Sequence, residues 1–284
     1  MTSLTRAQSR AVKSAFAAGG LDTARFRYWA KPGPPTPLRR FRSPDSVLTV
    51  AVTSAGRSRI TVERECRQWA AEQGIPVPTV RAAAEDDSWF VADYITAGDP
   101  RGSRYVIEGL RVADLISRCT APHLTAAPAN WRGSRRTLPS RVTRQTRGGL
   151  SLPRLRRARA AAHSLPDRTL THGDYYRRNV LADSPSVQVV DWEFIGDAPR
   201  FTDHLRLWST LLDPVDRRTA WTAITAPLDG EQRQHVAVLG EYLVLRLLGE
   251  NLAAPTRQRD AVDLNHARAM VRQWPDYLSQ LLDR

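Results

Sequence analysis

Asp174, Asn179 and Asp191 fall within one short stretch, Leu170 to Trp192 (LTHGDYYRRNVLADSPSVQVVDW). Carboxylates and an amide are hard oxygen donors, suited to a divalent cation, and a carboxylate can also accept a proton. Asn179 to Ala182 (NVLA) and Val187 to Trp192 (VQVVDW) read as two short strands, with Asp183-Ser184-Pro185-Ser186 as the turn between them. Such a hairpin folds its second strand back along the first and predicts Asn179 near Asp191. Asp174 lies in the loop that feeds the hairpin. The arrangement suits a divalent cation with a nucleophile beside it.

Two kinds of element must position these groups. The first part of the chain is strand-rich. After a helix over 4–18, strand-like runs at 25–30, 38–42, 47–53 and 88–95 are separated by Gly- and Pro-containing breaks. One helix interrupts them from about Arg59 to Gln73, with Val62, Cys66, Trp69 and Ala70 at helical spacing and Gly74 as its stop. The last part is helical, at about 203–212, 215–225, 231–249 and 259–282. Thr96-Ala97-Gly98-Asp99-Pro100 reads as the linker, so a boundary is expected with residues 1–96 before it and 97–284 after it. This predicts an α+β chain with a small antiparallel sheet and a mainly helical remainder.

The 284 residues allow one large domain or two smaller ones. No apolar run approaches a membrane span and Met1-Thr2-Ser3-Leu4 begins no signal peptide, so no membrane partner is expected. Cys66 and Cys119 are far apart and match no metal spacing, which points to a reduced, cytoplasmic compartment. Net charge is +13, yet only Lys13 and Lys31 are lysines. No zinc spacing, aromatic RNA-binding signature or helix-turn-helix accompanies that charge, which argues against nucleic acid as the main partner. From Leu115 to Pro166 there is no acidic residue and there are many arginines. The part from Ala127 to Gly149, rich in Pro, Gly, Ser and Arg, reads as loop.

The motifs resemble one family. His172-Gly173-Asp174 followed by Asn179 is similar to the HGDxxxxN signature of the aminoglycoside phosphotransferase and choline kinase group. Val190-Asp191-Trp192-Glu193 resembles its IDWE element, and Gly196-Asp197-Ala198-Pro199 with Asp203 its GDPxxD pattern. The Glu63 helix leading into Gly74-Ile75-Pro76-Val77-Pro78 resembles its Glu-bearing helix and GIPVP link. The resemblance implies a two-lobed protein-kinase-like fold with ATP between the lobes and a small hydroxylated molecule as phosphate acceptor. It implies Asp174 as the proton-accepting base and Asn179 and Asp191 as ligands of Mg²⁺. It places the adenine edge against backbone near Asp93, Tyr94 and Ile95.

The pattern is interrupted at the strand that should carry a phosphate-gripping lysine partnered by Glu63. That strand reads VLTVAVT. Arg40, Arg42, Arg57 and Arg59 are the cations nearby, with Arg42 and Glu63 taken as part of the nucleotide side. Two other readings stay open: a kinase-fold protein that binds without catalysis, and an anion- or nucleic-acid-binding protein that uses 115–166. Aminoglycosides are polycations, so the acid-free stretch favours a neutral or anionic acceptor unless Glu241, Glu250, Asp260 or Asp263 reach the cleft.

Overall fold

The computed structural model describes residues 6–28, 38–96, 98, 100–120, 138–183, 186–192, 194–253 and 260–283. Glu193, Ser184, Pro185 and the first half of the expected 127–149 loop lie outside them. The chain forms two compact units, one of residues 1–98 and 181–193, the other of residues 99–180 and 194–284.

In the first unit, strands β1 (Arg27–Tyr28), β2 (Leu38–Arg42), β3 (Ser46–Ala51), β4 (Val80–Ala83) and β5 (Trp89–Asp93) make an antiparallel sheet in the order β1-β2-β3-β5-β4. Alternation along β3 sorts the core onto two faces. Leu48 and Val50 join Phe16, Phe26, Trp89 and Val91 under helix α1 (Arg6–Ala18). Ala51 joins Ile60, Phe90 and Ala92 under helix α2 (Ser54–Glu72). Thr53 caps α2, its Oγ1 accepting from Gly56 N at 3.2 Å. Gly74, at φ +71, turns the chain out of it.

The first unit is not one continuous stretch of chain: residues 181–193 belong to it along with 1–98. Strands β7 (Val180–Asp183) and β8 (Ser186–Val189) pair as the expected hairpin. Val189 N donates to Pro76 O at 2.9 Å and Gly98 N to Ala182 O at 2.9 Å, while Trp192 packs edge-on against Trp69. Backbone hydrogen bonds of this kind have no signature in a linear reading of composition.

The second unit is mainly helical: α3 (Ser103–Arg118), α4 (Leu138–Arg147), α5 (Leu152–His163), α6 (Thr202–Thr210), α7 (Pro214–Thr225), α8 (Gly230–Ala253) and α9 (Ala261–Leu282). Helix α4 corrects the loop expected over 127–149. Its polar composition hides a docking face: Gln145 Nε2 donates to Gly249 O at 2.9 Å and Arg144 Nε to Ala253 O at 2.9 Å, so α8 holds it. Trp208, Trp221 and Tyr277 meet at ring-centroid distances of 4.8 to 5.1 Å in the core. A ribbon of β6 (Arg168–Thr171) and β9 (Gly196–Pro199) pairs Thr171 with Gly196. It therefore fixes the start of the segment His172 to Asn179. Among the described residues no helix is long and apolar enough to cross a membrane.

Candidate functional site

In the second unit, the loop after β6 is held by its backbone. Asp203, in the first turn of α6, is 3% exposed and accepts from His172 N at 2.6 Å and from Gly173 N at 3.3 Å. Gly173 has φ +79, and a Cβ there would run into the Phe194 carbonyl, so this position requires glycine. His172 is fully buried; its Nδ1 accepts from Asp174 N at 3.3 Å, a loop-stabilising role. Tyr175, also buried, donates to Gly109 O at 2.7 Å, and Tyr105 to Val180 O at 2.9 Å, which ties the loop to α3.

The structure brings Asp174 and Asn179 together. Asn179 Nδ2 donates to Asp174 O at 3.0 Å and to Asp174 Oδ2 at 3.2 Å. That fixes the amide's orientation and leaves Oδ1 as its acceptor atom. Burial pushes the Asp174 carboxyl above the usual carboxylate range, although the nearby Arg206 charge opposes the shift. Arg206 was not singled out from sequence. Its Nη2 lies 3.7 Å from Asp174 Oδ1 and donates to Glu250 Oε2 at 2.6 Å. Glu250 also accepts from Arg246 Nε at 2.6 Å. Burial alone would raise the Glu250 carboxyl; the two arginines pull it down to about 2. A sequence signal for Arg206 existed: it follows Asp203 by three positions on one helix and so shares its face.

The arginines that flank the loop's tyrosines are tied to α9. Arg177 Nη2 donates to Asp263 Oδ1 at 2.5 Å, and Arg178 Nη2 to Asp260 at 3.0 Å and to Asp263. Glu241 pairs with Arg154 at 2.8 Å. Each of the four acids considered as partners for a cationic acceptor is thus engaged by an arginine.

In the first unit, Asp191 follows the hairpin in left-handed backbone at φ +62, a strained conformation for a residue other than glycine. Its Oδ1 accepts from Arg40 Nη2 at 2.9 Å. Glu63, 7% exposed, is held by its own helix: Arg67 Nε and Nη2 reach Oε1 at 2.8 and 2.7 Å. The Arg67 guanidinium in turn lies over the Phe90 ring. Arg42 sits elsewhere, donating to the Tyr94 hydroxyl at 3.1 Å and stacking on that ring. Asp93 and Tyr94 have both backbone N–H groups committed, to Thr79 O and Asp45 O, each at 2.9 Å. Asp93 also accepts from Arg81 at 2.5 Å. Any edge-on recognition of a base along 93–95 therefore falls to the carbonyl groups and to the Ile95 backbone. Among the described residues no group of three or more His, Cys, Asp or Glu side chains could hold a metal ion unaided.

A model of the phosphotransferase enzyme family matches residues 38–237. No curated protein matches the chain by sequence. Among solved structures, amicoumacin kinase hAmiN in complex with AMP-PNP, Ca²⁺ and Ami superposes with a TM-score of 0.60 at 14% identity, covering 93% of each chain. The streptomycin–ATP complex of APH(2")-IIa gives 0.58 at 10% identity over 91% of this chain and 93% of that one. A choline/ethanolamine kinase family protein from Mesorhizobium loti gives 0.57 at 16% identity over 98% and 100%. These structures share the protein-kinase-like α+β fold.

Proposed function

The chain belongs to the phosphotransferase enzyme family, and we propose that it transfers the γ-phosphate of ATP to a hydroxyl of a small molecule. The observation that carries this reading is the Asp174–Asn179 pair on a loop whose backbone is clamped by Asp203. A carboxylate lifted in basicity by burial, yet kept ionisable by Arg206, suits the acceptance of a proton from an attacking alcohol. Phosphoryl transfer asks mainly for positioning and charge stabilisation, and a clamped loop supplies positioning. The donor set proposed for the metal, the Asn179 amide oxygen and the Asp191 carboxylate, is all oxygen. Oxygen donors of this kind fit the binding habits of Mg²⁺. Bound there, the ion would offset the negative charge that develops on phosphate oxygens.

The acceptor in this reading is neutral or anionic. Glu241, Glu250, Asp260 and Asp263 are each paired with arginine, which leaves a polycation without their charge. A non-catalytic kinase-fold protein is the second reading, favoured by the occupied Asp191 carboxylate and the strand without lysine. One experiment separates them. Labelled γ-phosphate is followed from ATP into panels of cationic, neutral and anionic alcohols, with Asp174→Asn as control. Transfer that the variant abolishes supports the enzyme. Nucleotide binding without transfer to any acceptor supports the second reading, and equal rates on kanamycin-like polycations would overturn the acceptor class.

A further inference from the structure

Register places Arg40 with care. On β2 it is the direct partner of Thr49 on β3, and Thr49 is the direct partner of Phe90 on β5. These three residues share the sheet face that α2 covers. With Leu38, Arg59, Ile60 and Glu63 they line a recess of about 10 Å³. That is room for about one water, so a bound group would be met at its rim rather than inside. Thr49 is 3% exposed and carries no charge to the recess. The neighbouring strand supplies the charge instead, and Arg40 extends from it to Asp191.

The other arginines considered from sequence are differently engaged. Arg57 pairs with Asp86 at 3.2 Å, and Arg42 stacks on Tyr94 at the strand's end. Arg59 lines the recess from the helix side. Glu63 has its counter-charge from Arg67, so it does not draw Arg40 away. The pairing of Arg40 with Asp191 is only partly shielded, with side-chain exposures of 23% and 22%. An ion pair that keeps solvent contact at both side chains can exchange partners.

We infer that Arg40 is an exchangeable counter-ion, holding the Asp191 carboxylate in the ligand-free chain and turning to phosphate oxygens when a nucleotide binds, so that Asp191 is released to a divalent cation. This rests on the phosphotransferase reading. A guanidinium fork matches a phosphate at least as well as a carboxylate, and a diphosphate carries more charge. The exchange makes cation and nucleotide uptake mutually dependent. A cation alone must compete with Arg40 for Asp191. A nucleotide alone must break the Arg40–Asp191 pair with no cation to take Arg40's place.

The inference is tested by two binding measurements on wild type, Arg40→Met and Arg40→Gln. Mn²⁺ alone is titrated and followed by electron paramagnetic resonance, and MgADP is titrated calorimetrically. Removing Arg40 moves the two affinities in opposite directions. Mn²⁺ alone binds several-fold more tightly, because Arg40 no longer competes for Asp191. MgADP binds about ten-fold or more weakly, the usual scale for one charge-assisted contact. Affinities that fall together mark a merely structural arginine and overturn the inference. So does an unchanged MgADP affinity in either variant. Two neutral replacements of different polarity keep the test alive if one of them fails to fold. A wild type that binds no nucleotide at all defeats the phosphotransferase reading itself, a distinguishable result.

Discussion

Asp203 is the most consequential side chain that touches neither proposed substrate nor metal. It accepts from two backbone N–H groups, His172 at 2.6 Å and Gly173 at 3.3 Å, and it is 3% exposed. Asp203→Ala would leave both donors buried without a partner, at about 1–3 kcal/mol each. The longer contact belongs at the low end of that range. An opposing effect is also present, because burial pushes the Asp203 carboxyl up, and removing a desolvated charge is favourable. The net expectation is a loss of about 2–4 kcal/mol for alanine. Asparagine keeps the oxygen for His172 N and turns its Nδ2 toward Gly173 N, so about 1–2 kcal/mol is expected. For a unit of this size each kcal/mol lowers the melting temperature by about 2–4 °C. Circular dichroism melts at neutral pH measure this, and phosphate transfer is measured well below the transition. Transfer falls further than the folded fraction, because the loop that carries Asp174 loses its clamp while the rest of the unit stays folded. Melting within 1 °C or so of wild type together with undiminished transfer by Asp203→Ala would refute the clamp.

Three further outcomes follow from the same geometry. Gly173→Ala places a Cβ against the Phe194 carbonyl at φ +79, so transfer is lost with at least about 1 kcal/mol of destabilisation, read from melts and rates. Asp174→Asn abolishes transfer yet melts at or above the wild-type temperature at neutral pH. The sign follows from linkage: the folded-state pKa of Asp174 is raised, so its contribution is favourable at low pH and is lost as pH climbs from 3.8 through the folded value. At neutral pH the ionised carboxylate is therefore a burden that the amide lacks; a clear drop in melting temperature would contradict this. Arg206→Met removes the largest charge that lowers the Asp174 pKa. The acid limb of the kcat/KM profile then shifts to higher pH, and a limb that stays in place would show that Arg206 does not set the basicity of Asp174.

The sequence disclosed the parts of this molecule whose signals are local. Strand alternation, the stop at Gly74, the turn residues of the hairpin and the spacing from Asp174 to Asn179 are all written within a few residues of one another. Helix α4 was illegible because its stabilising contacts come from α8. Gln145 and Arg144 bond to carbonyls about a hundred positions away, so its arginine-rich composition resembled a loop. The allocation of the hairpin to the first unit was hidden for the same reason, since Pro76 and Gly98 hold it through backbone atoms that every residue type possesses. Arg40 and Arg42 are both candidate cations on the same predicted strand, and Arg42 is the one the sequence reading takes for the nucleotide side. The choice between them turns on what each guanidinium meets, Tyr94 for the first and Asp191 for the second, and parity along one strand places both on the same face.

The arginine excess takes on a different meaning once the pairs are known. A net charge of +13 invites an anionic partner for the surface. Inside the molecule, however, arginine is the working cation. Arg67 neutralises Glu63, Arg40 holds Asp191, Arg206 and Arg246 share Glu250, and Arg177 and Arg178 fix the loop to α9. In a chain with two lysines, the two tasks that the resemblance gives one strand lysine, pairing with Glu63 and facing phosphate, fall to different residues. Arg67 takes the first from four positions along α2. The second is left to Arg40, which approaches from the adjacent strand and, because it need not stay with Glu63, can exchange partners. A lysine shared between carboxylate and phosphate is a fixed strut. Dividing its work between two guanidinium groups turns one of them into a moving part, and that is why the opposite response of metal and nucleotide affinity is expected here.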